Sequence, residues 1–139
     1  MRANSNHNSK FGGYDLDAEH VMAISNIESG EIIEVSPLGP ALDRSRISAQ
    51  KLVKTASMEV VRLVVPAGKD IANHTAPGEV TVQCLEGAVD FTMGGRTRRL
   101  TAGLLLHVPM GAVHALHGIE DASILVTIVR CDTGGRDAG

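Results

Sequence analysis

Two segments of the chain set a histidine among glycine and proline residues at defined spacing. In the first segment, five residues separate Gly68 from His74. In the second segment, His114 follows a Pro109-Met-Gly111 sequence. An imidazole can bind a divalent metal or exchange protons near neutral pH, so these two histidines are the first candidates for chemistry. The elements that carry them decide whether they can act together.

From about Gln50 onward, strand-like runs recur at short, even intervals with turn residues between them. This rhythm predicts an all-β sandwich or barrel. The predicted strands are Leu52–Thr55, Met58–Val65, Ile71–His74, Val80–Leu85, Ala88–Met93, Arg96–Thr101, Leu104–Val108, Val113–Leu116 and Ser123–Arg130. Only Gly94 and Gly95 separate two of these runs, which predicts a two-residue hairpin.

Taken at full length, the two segments resemble the paired signatures of the cupin superfamily. In the first signature, five residues separate Gly68 from His74 and one separates His74 from Ala76. Three residues then separate Ala76 from Val80, and six separate Val80 from Gly87. In the second signature, five residues separate Gly103 from Pro109 and one separates Pro109 from Gly111. Two residues then separate Gly111 from His114, and three separate His114 from Gly118. From about Leu52 to Val129 the chain thus resembles a small single-domain cupin. The resemblance implies an all-β, double-stranded β-helix, which is the jelly-roll barrel of that family.

In the family, four side chains from the two signatures bind a divalent metal in the mouth of the barrel. The resemblance assigns two of these positions to His74 and His114, whereas Ala76 and Val80 stand where a second histidine and a glutamate would be. Gly118 stands in place of an asparagine. Zinc and catalytic iron normally take at least three protein ligands. The resemblance therefore implies a degenerate site for a divalent ion, whether Zn, Fe, Mn or Ni.

Replacement metal ligands are conceivable nearby in the sequence. His107 lies on the predicted strand before the Pro-Met-Gly sequence, and Glu79 or Gln83 could turn inward at a β-bulge. His117 and Cys84 are further candidates. None of these residues has the spacing of a known metal site. The alternative is that each of them is a packing or surface residue.

The segment that begins at Val80 predicts an apolar pocket lining. Alternation along a strand puts Val80, Val82 and Cys84 on one face and Glu79, Thr81 and Gln83 on the other. Apolar walls with two imidazoles at the opening favour a pocket for a small, mostly hydrophobic ligand with one polar group. The predicted ligand-binding residues are His74, Ala76, Val80, Val82, Cys84 and His114.

Composition excludes several classes of protein. A length of 139 residues with 43% apolar residues favours one domain. A net charge of −3 and an aromatic content of 2% argue against a nucleic-acid partner. The basic run Arg96, Arg98 and Arg99 is interpreted as the solvated face of a strand. The distant cysteines Cys84 and Cys131 predict no disulfide scaffold, and without an apolar leader or membrane span we expect a cytoplasmic protein.

The chain divides into an N-terminal arm over residues 1–50, the barrel over 51–130 and a flexible tail over 131–139. Within the arm, residues 1–13 are expected to be disordered. A short helix is predicted from Asp15 to Ile24 and a strand from Glu31 to Val35. The arm is predicted to contribute to a homodimer by adding to a neighbouring sheet edge.

Three functions remain open at this point. The favoured one is a barrel that binds a small organic ligand, with a degenerate or absent metal site. The alternative is a metal-dependent enzyme of the dioxygenase or isomerase kind, using a rebuilt site around His74 and His114. The third is a structural protein that acts through its outer sheet face. No catalytic residue is assigned.

Overall fold

The computed structural model describes residues 29–35 and 43–130, together with the strand backbone at residues 10–11, 14–15 and 21–23. Every regular element in this part of the chain is a strand. The strands are β1 (Lys10–Phe11), β2 (Tyr14–Asp15), β3 (Val21–Ala23), β4 (Ser48–Lys54), β5 (Met58–Val65), β6 (Asp70–His74), β7 (Gly78–Met93), β8 (Arg96–Thr101), β9 (Leu105–Val108) and β10 (His114–Arg130). The all-β prediction is therefore confirmed. None of the described residues belongs to a helix that is long and apolar enough to cross a bilayer.

The N-terminal arm differs from its prediction. Asp15 and Val21–Ala23 lie in strands where a helix was predicted, and residues 16–20 and 24 lie outside the described residues. Glu31–Val35 forms no strand. Backbone pairing explains the first difference, because β3 runs parallel to β4 and pairs with Ala49–Lys51. The predicted disorder of residues 1–13, apart from β1, and the predicted flexible tail at 131–139 fall on residues that the structure leaves undescribed.

The barrel is built around a long two-stranded ribbon of β7 and β10. These strands pair from Gly78 and Arg130 at one end to Met93 and His114 at the other. Each of them was predicted as two separate strands, because glycines and charged residues interrupt the apolar runs. The backbone instead continues through a bend, where Gly87 has a φ of 82° and the register of the ribbon shifts.

The bend divides the barrel into two walls. The first wall contains β4, β5 and β9 with residues 78–86 of β7 and 123–130 of β10. The second wall contains β6 and β8 with residues 88–93 of β7 and 114–118 of β10. Buried apolar side chains from both walls form one core. The walls therefore face each other across a shared interior.

Two short links join the walls at the same end of the barrel, which we call the mouth. Residues 75–77 connect β6 in the second wall to β7 in the first. Residues 109–113 connect β9 in the first wall to β10 in the second. The mouth therefore brings together the first residues of β7 and β10 and the last residues of β6 and β9.

The predicted Gly-Gly hairpin is confirmed. Gly94 and Gly95 have φ values of 62° and 76°, which are the left-handed angles that a two-residue hairpin of this kind requires. The hairpin sets Met93 opposite Arg96 and so fixes the register of β8 on β7.

Candidate functional site

His74 and His114 lie side by side at the mouth. His74 ends β6 and His114 begins β10, and the two residues are register partners in the second wall. Their ring centroids are 4.1 Å apart, with an angle of 60° between the ring planes. Backbone pairing of β6 with β10 thus brings together two imidazoles that are forty residues apart in the sequence.

Backbone carbonyl groups orient both rings in the same way. His74 Nδ1 lies 2.7 Å from the carbonyl oxygen of Ala72, and His114 Nδ1 lies 3.0 Å from that of Ala112. A carbonyl oxygen can only accept, so each Nδ1 donates its proton. In the neutral rings the lone pair is then on Nε2, which is buried in both residues. Metal-binding histidines are oriented by such second hydrogen bonds, and the same tautomer suits a hydrogen bond from a ligand donor.

His114 is held in its neutral form. It is 1% exposed, and Phe91 stacks on its ring with centroids 5.4 Å apart and planes 12° apart. Burial lowers the pKa of His114, and the hydrogen bond to Ala112 opposes this effect only in part. At neutral pH its Nε2 is therefore a hydrogen-bond acceptor rather than a donor.

The other two positions of the family metal site are apolar and buried. Ala76 is 8% exposed and Val80 is 1% exposed. Val82 and Cys84 continue the same buried face of β7, in the alternation that the sequence predicts. Among the described residues no group of three or more histidine, cysteine, aspartate or glutamate side chains could hold a metal. These residues therefore supply two imidazoles and do not fit the usual set of three or four protein ligands.

The structure does not bring the proposed replacement ligands to the imidazole pair. His107 and Glu79 contact each other, Nε2 to Oε1 at 2.9 Å, and both are exposed. His117 contacts Asp70 at the surface. Gln83 is half-buried and alternates with the inward residues of β7. Strand alternation thus keeps these side chains off the inner face.

Cys84 is buried, but its thiol faces the bend rather than the mouth. Its Sγ lies 3.5 Å from the carbonyl oxygen of Glu86 and 3.6 Å from that of Gly87. Burial raises the pKa of the thiol, although the Glu86 carbonyl partly offsets this effect. Cys84 is therefore a buried packing residue whose thiol form is favoured at neutral pH.

A cavity of about 130 Å³ opens between the walls on the side of β8 and β9. Its lining consists of Phe91, Met93, Arg96, Arg98 and Leu106. The sequence interpretation missed the two arginines, because it treated the basic run as one solvated face. A signal was present: the Gly-Gly hairpin fixes Arg96 opposite Met93, and alternation then puts Arg98 opposite Phe91.

Comparisons with known proteins agree with this architecture. The Cupin domain family model matches residues 61–129. No curated protein matches the sequence. The chain is similar to a conserved protein of unknown function from Streptococcus pyogenes, with 23% identity and a TM-score of 0.64 over 78% of this chain and 94% of that one. It is also similar to an RmlC-like cupin from Desulfovibrio desulfuricans, with 22% identity and a TM-score of 0.60 over 70% and 97%.

An enzyme is also among the similar structures. Salicylate 1,2-dioxygenase from Pseudaminobacter salicylatoxidans shares 20% identity and a TM-score of 0.57, over 60% of this chain and 26% of that one. Likeness at these identities shows the fold and not the activity. The family match, the jelly-roll neighbours and the all-β architecture together establish that the chain is a small cupin-domain protein.

Proposed function

We propose that this cupin binds a small organic molecule between its two walls, beside His74 and His114, and that its metal site is reduced to those two imidazoles. One observation carries the proposal. The two rings meet at the mouth with centroids 4.1 Å apart, while Ala76 and Val80 occupy the remaining ligand positions as buried apolar groups. The mouth thus combines apolar walls with a small polar patch, which is typical of small-molecule sites.

The imidazole pair can act as the polar handle of such a site. Each ring donates through Nδ1 to its own backbone, so Nε2 is the atom that would accept from a ligand hydroxyl or amide. The lowered pKa of His114 favours the neutral ring, in which Nε2 carries the lone pair. A ligand with an O–H or N–H group on an apolar body fits these properties.

A second candidate, a metal-dependent enzyme, is favoured by the orientation of the same rings. Hydrogen bonds from Nδ1 to backbone carbonyls are the arrangement that metal-binding histidines adopt. The described residues offer a divalent ion two protein ligands here, so the ligand or water would have to complete its coordination.

Metal content separates the two candidates. The full chain is purified, incubated with Zn, Mn, Ni or Fe(II), dialysed and assayed by elemental analysis. The test variant is His74→Ala with His114→Ala, and the matched control is His107→Ala with His117→Ala, which removes two surface histidines. We expect well under one ion per chain in all three proteins, because two imidazoles bind metal weakly. One ion per chain that is lost in the test variant and kept in the control would favour the enzyme instead.

A further inference from the structure

We infer that Arg96 and Arg98 form an anion-binding site at the open side of the barrel, so that the ligand is a small organic carboxylate. This inference rests on the proposed function, because it assigns a chemical class to the molecule that the barrel binds. All three arginines of the basic run are exposed, as the sequence predicted, and the inference adds a role for two of them.

The register of β8 puts both arginines on the inner face of the second wall. Arg96 pairs with Met93, and Arg98 pairs with Phe91. Directly paired residues of neighbouring strands project to the same side of a sheet. Phe91 is 1% exposed and belongs to the core, so this side is the interior. β8 is the last strand on its side of the sheet, so the two exposed side chains lie at the rim of the cavity.

The third arginine of the run has a different role. Arg99 projects to the outer face and binds Asp90 with two contacts, at 2.9 and 3.3 Å. The hydrogen bond from Arg99 lowers the pKa of the Asp90 carboxyl. By contrast, neither Arg96 nor Arg98 makes an ion pair or a side-chain hydrogen bond to any residue that the structure describes. Two guanidinium groups that lack a charged partner among the described residues therefore face the same cavity.

The chemistry of the lining indicates a carboxylate with a small apolar body. Arginine presents a planar fork of donors that matches a carboxylate, and alternate residues of a strand are about 7 Å apart, so both side chains can reach one anion. Phe91, Met93 and Leu106 supply the apolar part. The cavity of about 130 Å³ is close to the size of one that holds benzene, roughly 150 Å³. One ring or a short aliphatic chain fits this volume.

Two residues of the cavity lining, Phe91 and Met93, adjoin the imidazole pair, although neither histidine lines the cavity itself. Phe91 lines the cavity and also stacks on His114, and Met93 is the register partner of His114. A carboxylate held by Arg96 and Arg98 would direct the body of the molecule along Phe91 toward the imidazoles. The arginines and histidines thus recognise two ends of one ligand.

The test compares acids with their uncharged amides. Thermal shift and isothermal titration calorimetry are carried out on the full chain with benzoate, salicylate and butyrate, and with benzamide, salicylamide and butyramide. Inorganic phosphate is included as an anion without an apolar body. The test variant is Arg96→Ala with Arg98→Ala, and the matched control is Arg99→Ala, on the same strand but the opposite face. Circular dichroism confirms that each variant is folded.

We expect at least one acid to bind at least tenfold more tightly than its amide and than phosphate. The double variant should lose this preference, with a Kd at least tenfold weaker, whereas Arg99→Ala should stay within about twofold. Equal binding of an acid and its amide would overturn the carboxylate assignment and leave the proposed ligand barrel standing. Stronger binding of phosphate, or equal losses in both variants, would overturn it too. If no acid and no amide binds, both proposals fail.

Discussion

At the scale of single residues, Glu59 is a buried carboxylate in the first wall, next to the end of β10. It is 2% exposed and projects to the same face as Val61. Lys54 Nζ donates to its Oε2 at 2.8 Å, and Arg130 donates to the same oxygen. Burial alone would raise the pKa of Glu59, but the hydrogen bonds from Lys54 and Arg130 outweigh it and lower the pKa. Glu59 is thus an ionised carboxylate that ties the β4–β5 hairpin to the end of β10.

We expect Glu59→Gln to reduce the free energy of unfolding at neutral pH by about 1–3 kcal/mol, because it removes charge-assisted hydrogen bonds. A lowered pKa means that this stabilisation is present above the ordinary glutamate value of about 4.3 and is lost as the pH falls through the folded-state value. The difference between wild type and variant should therefore shrink below about pH 4.3. Urea unfolding between pH 3 and 7 measures it.

The matched control is Asp90→Asn, which breaks the exposed pair with Arg99. It should cost under about 1 kcal/mol, since surface ion pairs contribute little. A cost for Glu59→Gln no larger than this, or one that does not change with pH, would contradict the role of Glu59.

At the residue scale, the spacing pattern indicated which two histidines would meet, while their role in binding stays a prediction. The two signatures identified His74 and His114, which the structure brings together. They could not show that Nδ1 of each ring faces a backbone carbonyl, because this depends on the local turns at Ala72 and Ala112. Glu59 was not singled out, because nothing local distinguishes a buried carboxylate from the many exposed ones.

At the scale of elements, the bend in the ribbon explains why β7 and β10 were each wrongly predicted as two strands. Glycines inside a strand usually mark bulges or close backbone approach as well as ends. Gly87 and Gly118 both lie where another backbone segment comes close. Cβ atoms placed on them would lie 2.0 Å from the carbonyl oxygen of Asp121 and 2.3 Å from that of Pro66. The sequence showed where the chain changes direction but not that pairing continues through it.

The departure of Gly118 from the family asparagine has a testable explanation. Its amide donates to the Lys69 carbonyl and its own carbonyl accepts from Gly68, which holds the backbone against Pro66. We expect Gly118→Asn to lower the free energy of unfolding by about 1–3 kcal/mol or more, since a backbone segment would have to move. Chemical denaturation of the variant measures this loss.

Gly103→Asn is the matched control for this substitution. Gly103 has a φ of 92° and no atom within 4 Å of its Cβ position, and asparagine tolerates left-handed angles better than most residues. Its cost should stay under about 1 kcal/mol. Equal costs for the two variants would show that the close approach to Pro66 is not what excludes a side chain.

At the scale of the whole molecule, length and composition favoured one domain, and the described strands β4 to β10 form one barrel. The alternating runs sufficed for the barrel, because a buried face repeats every second residue. The arm was harder to predict, because its structure depends on a sheet edge elsewhere in the chain. β3 pairs with β4 of its own barrel. Farther along, Ile32 is 95% exposed.

The homodimer remains our proposal, with the segment around Ile32 contributing to the contact between copies. A chain that begins at Asp43 keeps all of β4, whose Ala49 is 1% exposed, and removes residues 1–42 of the arm. We expect light scattering during gel filtration to show a dimer for the full chain and a monomer for the shortened one. A chain that begins at Ser29 is the control and should retain part of the dimer. A clean dimer of the Asp43 chain, or a monomeric full chain, would contradict this prediction.

The continuous ribbon also affects how this protein can change over evolutionary time. β7 and β10 run through both walls, so a substitution that breaks the pairing between them disturbs the whole barrel. Most of the side chains proposed to choose the ligand lie elsewhere: Arg96 and Arg98 on β8 and Leu106 on β9. Among the described strands, β8 and β9 each pair with β7 alone. Substitutions on β8 and β9 can therefore change the ligand preference while β7 and β10 keep the barrel intact.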